Sequence, residues 1–91
     1  MANLTLYVDR SARSELAKIQ LRDAGITFDT VDVEADASAL TLLESRGRDR
    51  AHYPMPQYYV GEVLAFEGFK EVNFLTNEQI NSRIEEINAG S

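Results

Sequence analysis

The sequence lacks cysteine altogether and has a single histidine, His52, among its 91 residues. Without cysteine, neither a disulfide scaffold nor a thiolate metal site is available, and one histidine argues against a histidine-built metal site. No apolar run approaches the roughly 18 residues that indicate a membrane span. The N-terminus has neither the basic region nor the apolar core of a signal peptide. We therefore expect a cytoplasmic protein with no metal and no membrane contact.

Positive charge is also scarce, with 9 basic against 15 acidic residues and a net charge of −6. This balance argues against a nucleic-acid partner, because nucleic-acid-binding proteins normally present a basic face. Hydrophobic residues make up 44% of the chain and charged residues 26%, which is typical of a globular protein with a core. A chain this short predicts one domain, residues 1–91.

The first third of the chain predicts a strand, a helix and a second strand. Leu4 to Val8 alternates apolar residues onto one face, as a half-buried strand does. Gly25 stands where a glycine commonly ends a helix, and residues 26–33 are β-branched and partly alternating. The helix between them shows apolar residues at nearly helical spacing, namely Leu16, Ala17, Leu21 and Ala24.

The rest of the chain predicts a helix, two strands and a final helix. Asp36 is a plausible N-cap for a helix that ends at Gly47. Residues 56–60 and 63–66 form two short strands around a tight turn. Residues 76–79 match a capping box, and the stripe that follows is Ile80, Ile84 and Ile87.

The predicted order is therefore β-α-β-α-β-β-α. Two strands separated by a helix are expected to be parallel, and the last two strands fit a hairpin. Helices should cover both faces of a mixed four-stranded sheet, which makes the fold class α/β.

Several short segments occur in register along this order. They are Tyr7, Ala17-Lys18, Gly25-Ile26, Val31-Asp32-Val33, Met55-Pro56-Gln57 and Gly68-Phe69. From Leu4 to Ile87 the chain thereby resembles the glutaredoxin family. The resemblance implies a thioredoxin-like sandwich with a cis peptide before Pro56. It also implies thiol–disulfide oxidoreductase activity with glutathione or thioredoxin reductase as the electron donor.

The active-site motif departs from that family, because Ser11 and Ser14 stand where its Cys-x-x-Cys cysteines are. The resemblance makes position 11 the nucleophile and position 14 the resolving residue. A serine hydroxyl cannot form a disulfide, so this chain is expected to be redox-inactive, and its status as an enzyme stays open. Either the serines were introduced, or the domain is a naturally redox-dead module that binds a protein partner in the same groove. In both cases a serine here can cap the first helix.

The resemblance also implies a binding groove for glutathione, as a possible co-substrate without any tightly bound cofactor. Val8 stands where the family often has lysine, and a guanidinium beside the motif could replace that charge. The implied partners are glutathione or a disulfide-bearing protein such as ribonucleotide reductase, and we expect a monomer. The implied groove residues are Arg10, Ala12, Arg13, Met55, Pro56, Gln57, Gly68, Phe69 and Lys70.

A basic cluster, Arg46, Arg48 and Arg50, precedes the third predicted strand. It can be a site for a carboxylate or for the acidic patch of a partner. The interpretation we favour is a solvated loop in which the arginines pair with Glu44 and Asp49, since exposed ion pairs contribute only about 0–1 kcal/mol.

Overall fold

The computed structural model describes residues 3–49, 52–53 and 55–90 of the chain. The strands in these residues are β1 (Leu4–Val8), β2 (Phe28–Asp32), β3 (Gln57–Val60) and β4 (Val63–Phe66). The helices are α1 (Ala12–Asp23), α2 (Ala37–Ser45), α3 (Phe69–Asn73) and α4 (Asn77–Ala89). The chain is thus a small α/β domain with a mixed four-stranded sheet and four helices in its described residues.

The sheet has the strand order β2-β1-β3-β4. β1 runs parallel to β2, with Leu4 opposite Phe28, and antiparallel to β3, with Leu4 also opposite Val60. β3 and β4 form an antiparallel hairpin whose turn contains Gly61 at a positive φ of 63°. The predicted parallel pair and the predicted hairpin are both confirmed.

Alternation along the strands supplies two separate core clusters, one on each face of the sheet. Leu4, Leu6 and Val8 pack in one cluster with buried side chains of α1, α3 and α4. Tyr7 points to the other face and packs with Leu43 of α2 in the second cluster. Successive strand residues face opposite sides, so a single strand serves both cores. Helices cover both faces, as predicted.

Local signals at the helix ends behave as the sequence predicts. The Thr76–Gln79 capping box is formed at the start of α4, and Asp36 caps α2 by accepting from two backbone N–H groups. Beyond α1, Gly25 has a φ of 71°, and Ile26 N donates to Leu21 O at 3.1 Å, closing a glycine-terminated C-cap. Among the described residues, no helix combines the length and the apolar character needed to cross a membrane.

The inward stripe of α1 differs from the prediction at one position. Leu16 is 51% exposed, whereas Ser14, Ala17 and Leu21 are completely buried. Each helical residue is rotated about 100° from the last, so the face that carries these three turns Leu16 outward. The prediction included Leu16 because it counted apolar residues and left out a buried serine.

Two boundaries of the predicted fold are also wrong. The predicted order has no helix between the strand at residues 63–66 and the final helix, but α3 forms at residues 69–73 and buries Val72 completely. Five residues are too few to show helical periodicity, and the N-cap, Gly68, offers no side chain that could signal a helix start. β2 is shorter than predicted, although Ile26 and Val33 remain buried just outside it.

Candidate functional site

A cleft of about 380 Å³ lies where the start of α1, the loop before β3 and the start of α3 meet. Ligand sites commonly have this size and combine an apolar surface with a few polar groups. The residues that line it are Arg13, His52, Tyr53, Met55, Pro56, Glu67, Gly68, Phe69 and Lys70. The cleft therefore gathers residues from three segments that are distant in sequence.

The floor of the cleft is apolar and rigidly packed. Met55 is completely buried in the core cluster below α2, and Pro56 follows it through a cis peptide bond, as the resemblance implied. Phe69 is half-buried and packs against the other core cluster. A ligand seated here meets a surface that both cores hold in place.

Two cationic side chains, Arg13 and Lys70, stand at the wall of the cleft. Both are exposed, Arg13 on the first turn of α1 and Lys70 on α3. Within residues 3–49, 52–53 and 55–90, neither forms an ion pair or a side-chain hydrogen bond. In a protein of net charge −6, this leaves a local positive site that is open to an anion.

The acidic side chain at the cleft, Glu67, is already engaged by an arginine. Arg48 Nη1 lies 3.5 Å from Glu67 Oε2, and Arg48 Nη2 donates to the Glu67 carbonyl oxygen at 3.4 Å. The guanidinium also lies 3.8 Å from the centre of the Tyr53 ring. Arg48 therefore joins two residues that line the cleft without lining it itself.

His52, which also lines the cleft, is paired with an aspartate. Its Nδ1 lies 2.9 Å from Asp49 Oδ1 and 3.0 Å from Oδ2, and its side chain is 78% exposed. Because the His52 ring is already paired with Asp49, the cations at the cleft without a partner in the described residues are Arg13 and Lys70.

Ser11 and Ser14 do not line the cleft and instead belong to a closed hydrogen-bond network. Ser11 Oγ accepts from Ser14 N at 3.3 Å and donates to Ser14 Oγ at the same distance. Ser14 Oγ in turn donates to Asp9 Oδ1 at 3.0 Å and accepts from Asp9 N at 3.1 Å. Ser11 is the N-cap of α1, so the predicted capping is confirmed.

Three further residues of the predicted groove lie away from the cleft. Arg10 is exposed and pairs with Glu34 at 3.3 Å, and Ala12 is exposed at the first position of α1. Gln57 is only 1% exposed, and its Nε2 donates to Arg48 O at 3.1 Å and to Tyr53 O at 2.8 Å. Gln57 thereby anchors the loop that carries Tyr53. The structure brings together the other predicted groove residues, namely Arg13, Met55, Pro56, Gly68, Phe69 and Lys70.

The sequence prediction of the groove missed His52, Tyr53 and Glu67. The available signal was position, because each lies one to three residues from a predicted groove segment. The interpretation of the basic cluster as a solvated loop is wrong for Arg48, which is 14% exposed and pairs with Glu67. Arg46 lies 4.9 Å from the centre of the Tyr59 ring. Arg50 lies outside the described residues.

No cluster of three or more histidine, cysteine, aspartate or glutamate side chains that could hold a metal occurs in the part of the chain that the structure describes. The side chains at the cleft are suited to a different task. They can bind a carboxylate through cations and seat an apolar group on the floor.

Comparison with known proteins gives a limited result. No protein-family model matches the chain. The chain is similar to "Lactate utilization protein C" of Shouchella clausii (strain KSM-K16), with 26% identity over 61 residues. The match covers 67% of this chain and 26% of that protein. The chain thus spans about a quarter of the length of this curated relative.

These findings overturn the glutaredoxin assignment. The relative is a lactate utilization protein, no family model supports a glutaredoxin, and the chain has no cysteine for thiol chemistry. The predicted thiol–disulfide oxidoreductase function is wrong, because short in-register segments on an α/β chain do not by themselves define a family.

Proposed function

We propose that this domain binds a small organic carboxylate in the cleft, with the carboxylate at Arg13 and Lys70 and an apolar group on the floor. The observation that carries the proposal is the pair of exposed cations without a partner in the described residues, beside an apolar floor. Hydrogen bonds between cations and a carboxylate are stronger than neutral ones, which gives such a site its selectivity for anions.

The volume and composition of the cleft support the same ligand class. A space of about 380 Å³ admits a small molecule with a ring or a branched apolar group. The name of the curated relative concerns lactate, which is itself a small carboxylate. Because the match covers 26% of that protein, the proposal concerns binding by this domain and assigns it no reaction.

We also propose a thioredoxin-like arrangement for the fold. The strand order β2-β1-β3-β4, the parallel β1–β2 pair and the cis peptide before β3 support it. A cytoplasmic location, a monomeric state, and glutathione or ribonucleotide reductase as partners stay predictions that no observation tests.

The experiment that tests carboxylate binding is an NMR titration with 3-phenylpropionate, its neutral amide and L-lactate. We expect 3-phenylpropionate to shift the backbone signals of Arg13, Met55, Phe69 and Lys70 at concentrations up to about 10 mM. We expect the amide to bind at least about tenfold more weakly, because it loses the charge-assisted hydrogen bonds. L-lactate should shift the same signals more weakly, since it has no ring to bury.

The variants Arg13→Gln and Lys70→Gln should each weaken 3-phenylpropionate binding by about tenfold. Arg22→Gln is the matched control, because Arg22 is exposed on the same helix as Arg13 and lies outside the cleft. Equal binding of the acid and the amide, or no shifts with the acid, contradicts the proposal.

A further inference from the structure

Glu67 places a negative charge in a cleft whose other described charges are positive. It follows the last residue of β4 and precedes the N-cap of α3, so the sheet and the helix fix the course of its backbone. Its side chain is 75% exposed and lines the cleft together with Arg13 and Lys70. An acidic group beside a carboxylate site weakens the binding of that carboxylate unless it makes a favourable contact with another group of the ligand.

Three of the polar groups of Glu67 have partners among the described residues, namely its backbone N–H, its carbonyl oxygen and Oε2. Its backbone N–H donates to Glu71 Oε2 at 2.7 Å, and its carbonyl oxygen accepts from Arg48 Nη2 at 3.4 Å. Its Oε2 is paired with Arg48 Nη1 at 3.5 Å. The remaining oxygen, Oε1, has no partner among the residues that the structure describes.

Arg48 acts as a positioning residue for Glu67, because Tyr53 and Gln57 fix its own position. Its side chain is 14% exposed and stacks 3.8 Å from the centre of the Tyr53 ring. Its carbonyl oxygen accepts from Gln57 Nε2 at 3.1 Å, and Gln57 is itself buried. Stacking on the ring and the hydrogen bond to its carbonyl oxygen hold Arg48 in place, and Arg48 in turn contacts one oxygen of the exposed Glu67 carboxylate.

The open Oε1 of Glu67 can accept a hydrogen bond from a donor group on the ligand. An ammonium group would face Arg13 and Lys70, whereas a hydroxyl group brings no charge against them. A second carboxylate on the ligand would be repelled by Glu67. The complementary ligand is therefore an acid with one carboxylate and a hydroxyl group close to it.

We propose that Glu67 selects 2-hydroxy carboxylates over carboxylates without the hydroxyl group, by accepting a hydrogen bond from that hydroxyl on Oε1. This inference rests on the proposed carboxylate binding at Arg13 and Lys70. It goes beyond that proposal by naming the ligand subclass and the residue that recognises it.

The test compares the dissociation constants of L-3-phenyllactate and 3-phenylpropionate, which differ only in the hydroxyl group. We expect the native protein to bind phenyllactate about tenfold more tightly, as for a hydrogen bond to a charged group. Glu67→Ala should bring this ratio close to one and leave 3-phenylpropionate affinity unchanged or higher. Glu67→Gln retains a neutral acceptor oxygen and should restore part of the preference.

Two further variants complete the comparison. Arg48→Lys keeps the charge but loses the planar contact with Tyr53, so it should lower the preference without abolishing 3-phenylpropionate binding. Glu62→Ala is the matched control, because Glu62 is an exposed acid in the β3–β4 turn and lies outside the cleft.

Each outcome assigns failure to one proposal. If the native protein binds both acids equally, or if Glu67→Ala keeps the preference, the role of Glu67 is wrong while carboxylate binding stands. If neither acid shifts the signals of Arg13 and Lys70, carboxylate binding fails, and this inference fails with it.

Discussion

Two polar regions lie next to each other at the start of α1, and they differ in how far their hydrogen bonds are satisfied. The Ser11–Ser14–Asp9 network closes on itself through bonds of 2.9 to 3.3 Å. The wall of the cleft instead carries two cations, Arg13, which precedes Ser14 in the chain, and Lys70. Neither has a partner among the described residues. The first region therefore stabilises the protein, and the second has bonding capacity left for a ligand.

This difference explains why residue identity was a poor guide to the role of the two serines. Serines in the position of a catalytic motif invite a functional interpretation, yet Ser14 is completely buried and fully bonded. Lys70, which the resemblance placed in the groove, does line the cleft beside its apolar floor. Unused hydrogen-bonding capacity at a concave surface is the better indicator.

The largest effect on stability is expected for Ser14→Ala. The change leaves the Asp9 backbone N–H and the Asp9 carboxylate without the hydroxyl that bonds both, in a part-buried position. We expect the free energy of unfolding to fall by about 2 kcal/mol, measured by chemical denaturation. Ser82→Ala, at an exposed position of α4, is the control and should change it by less than about 0.5 kcal/mol. A Ser14→Ala protein as stable as the control would remove the contrast between the two regions.

A smaller loss is expected for Ser11→Ala, which removes the N-cap of α1. Ser11 Oγ accepts from Ser14 N, and loss of such a cap costs about 1 kcal/mol. Ser11→Asn keeps an acceptor at this position without adding a negative charge beside the Asp9 carboxylate, so it should recover most of the loss. Equal destabilisation by both changes, in the same denaturation measurement, would contradict the capping role.

Tyr58→Phe removes a polar group that has no hydrogen bond, in contrast to the bonded serines. The Tyr58 hydroxyl is buried and unbonded among the described residues. Its removal should leave the protein equally stable at pH 7 or stabilise it by up to about 1 kcal/mol. Burial raises the pKa of Tyr58 above its usual value of 10.0. A raised folded-state pKa leaves stability intact below pH 10 and lowers it as the pH rises further.

The measurement is the free energy of unfolding of both proteins between about pH 8 and pH 11. The native protein should lose more stability than Tyr58→Phe above about pH 10, where tyrosine ionises in the unfolded chain. Ser82→Ala, which changes no titratable group, should follow the native curve. Parallel curves for all three proteins would show that Tyr58 does not stay protonated in the folded state.

The smallest effect on stability is expected for Lys70→Gln. Lys70 is exposed and has no ion pair among the described residues, so the free energy of unfolding should change by less than about 0.5 kcal/mol. The same variant should weaken carboxylate binding, so one protein separates the two kinds of polar region. A clearly destabilised Lys70→Gln protein would show that Lys70 stabilises the fold. It would also weaken the proposal that Lys70 binds the carboxylate.

Much of the fold was predictable because its signals are local. The alternation of Leu4, Leu6 and Val8, the capping box at Thr76 and the glycine after α1 each act within a few residues, and each is found in the structure. The short helix α3 was not predictable from periodicity, since its five residues are held by the burial of Val72 against the core.

The candidate site was predictable only in part, since a cleft depends on residues that are far apart in the chain. The segments around Met55 and Phe69 were expected to meet near the start of α1, and they do. The sequence offered no way to see that Arg48 would turn away from solvent to hold Tyr53 and Glu67. The contact between Arg48 and Glu67 joins residues 19 positions apart, which lie before and after the β3–β4 hairpin.

The sequence by itself determined the alternating strands, the helix caps and the absence of thiol chemistry, because these follow from residue type and near neighbours. Tertiary structure alone decided which polar groups satisfy one another and which remain open. Ser14 is enclosed with Asp9, while Arg13, one residue away, faces the cleft. Adjacent helical residues point about 100° apart, so packing of α1 against the sheet buries Ser14 and leaves Arg13 at the cleft.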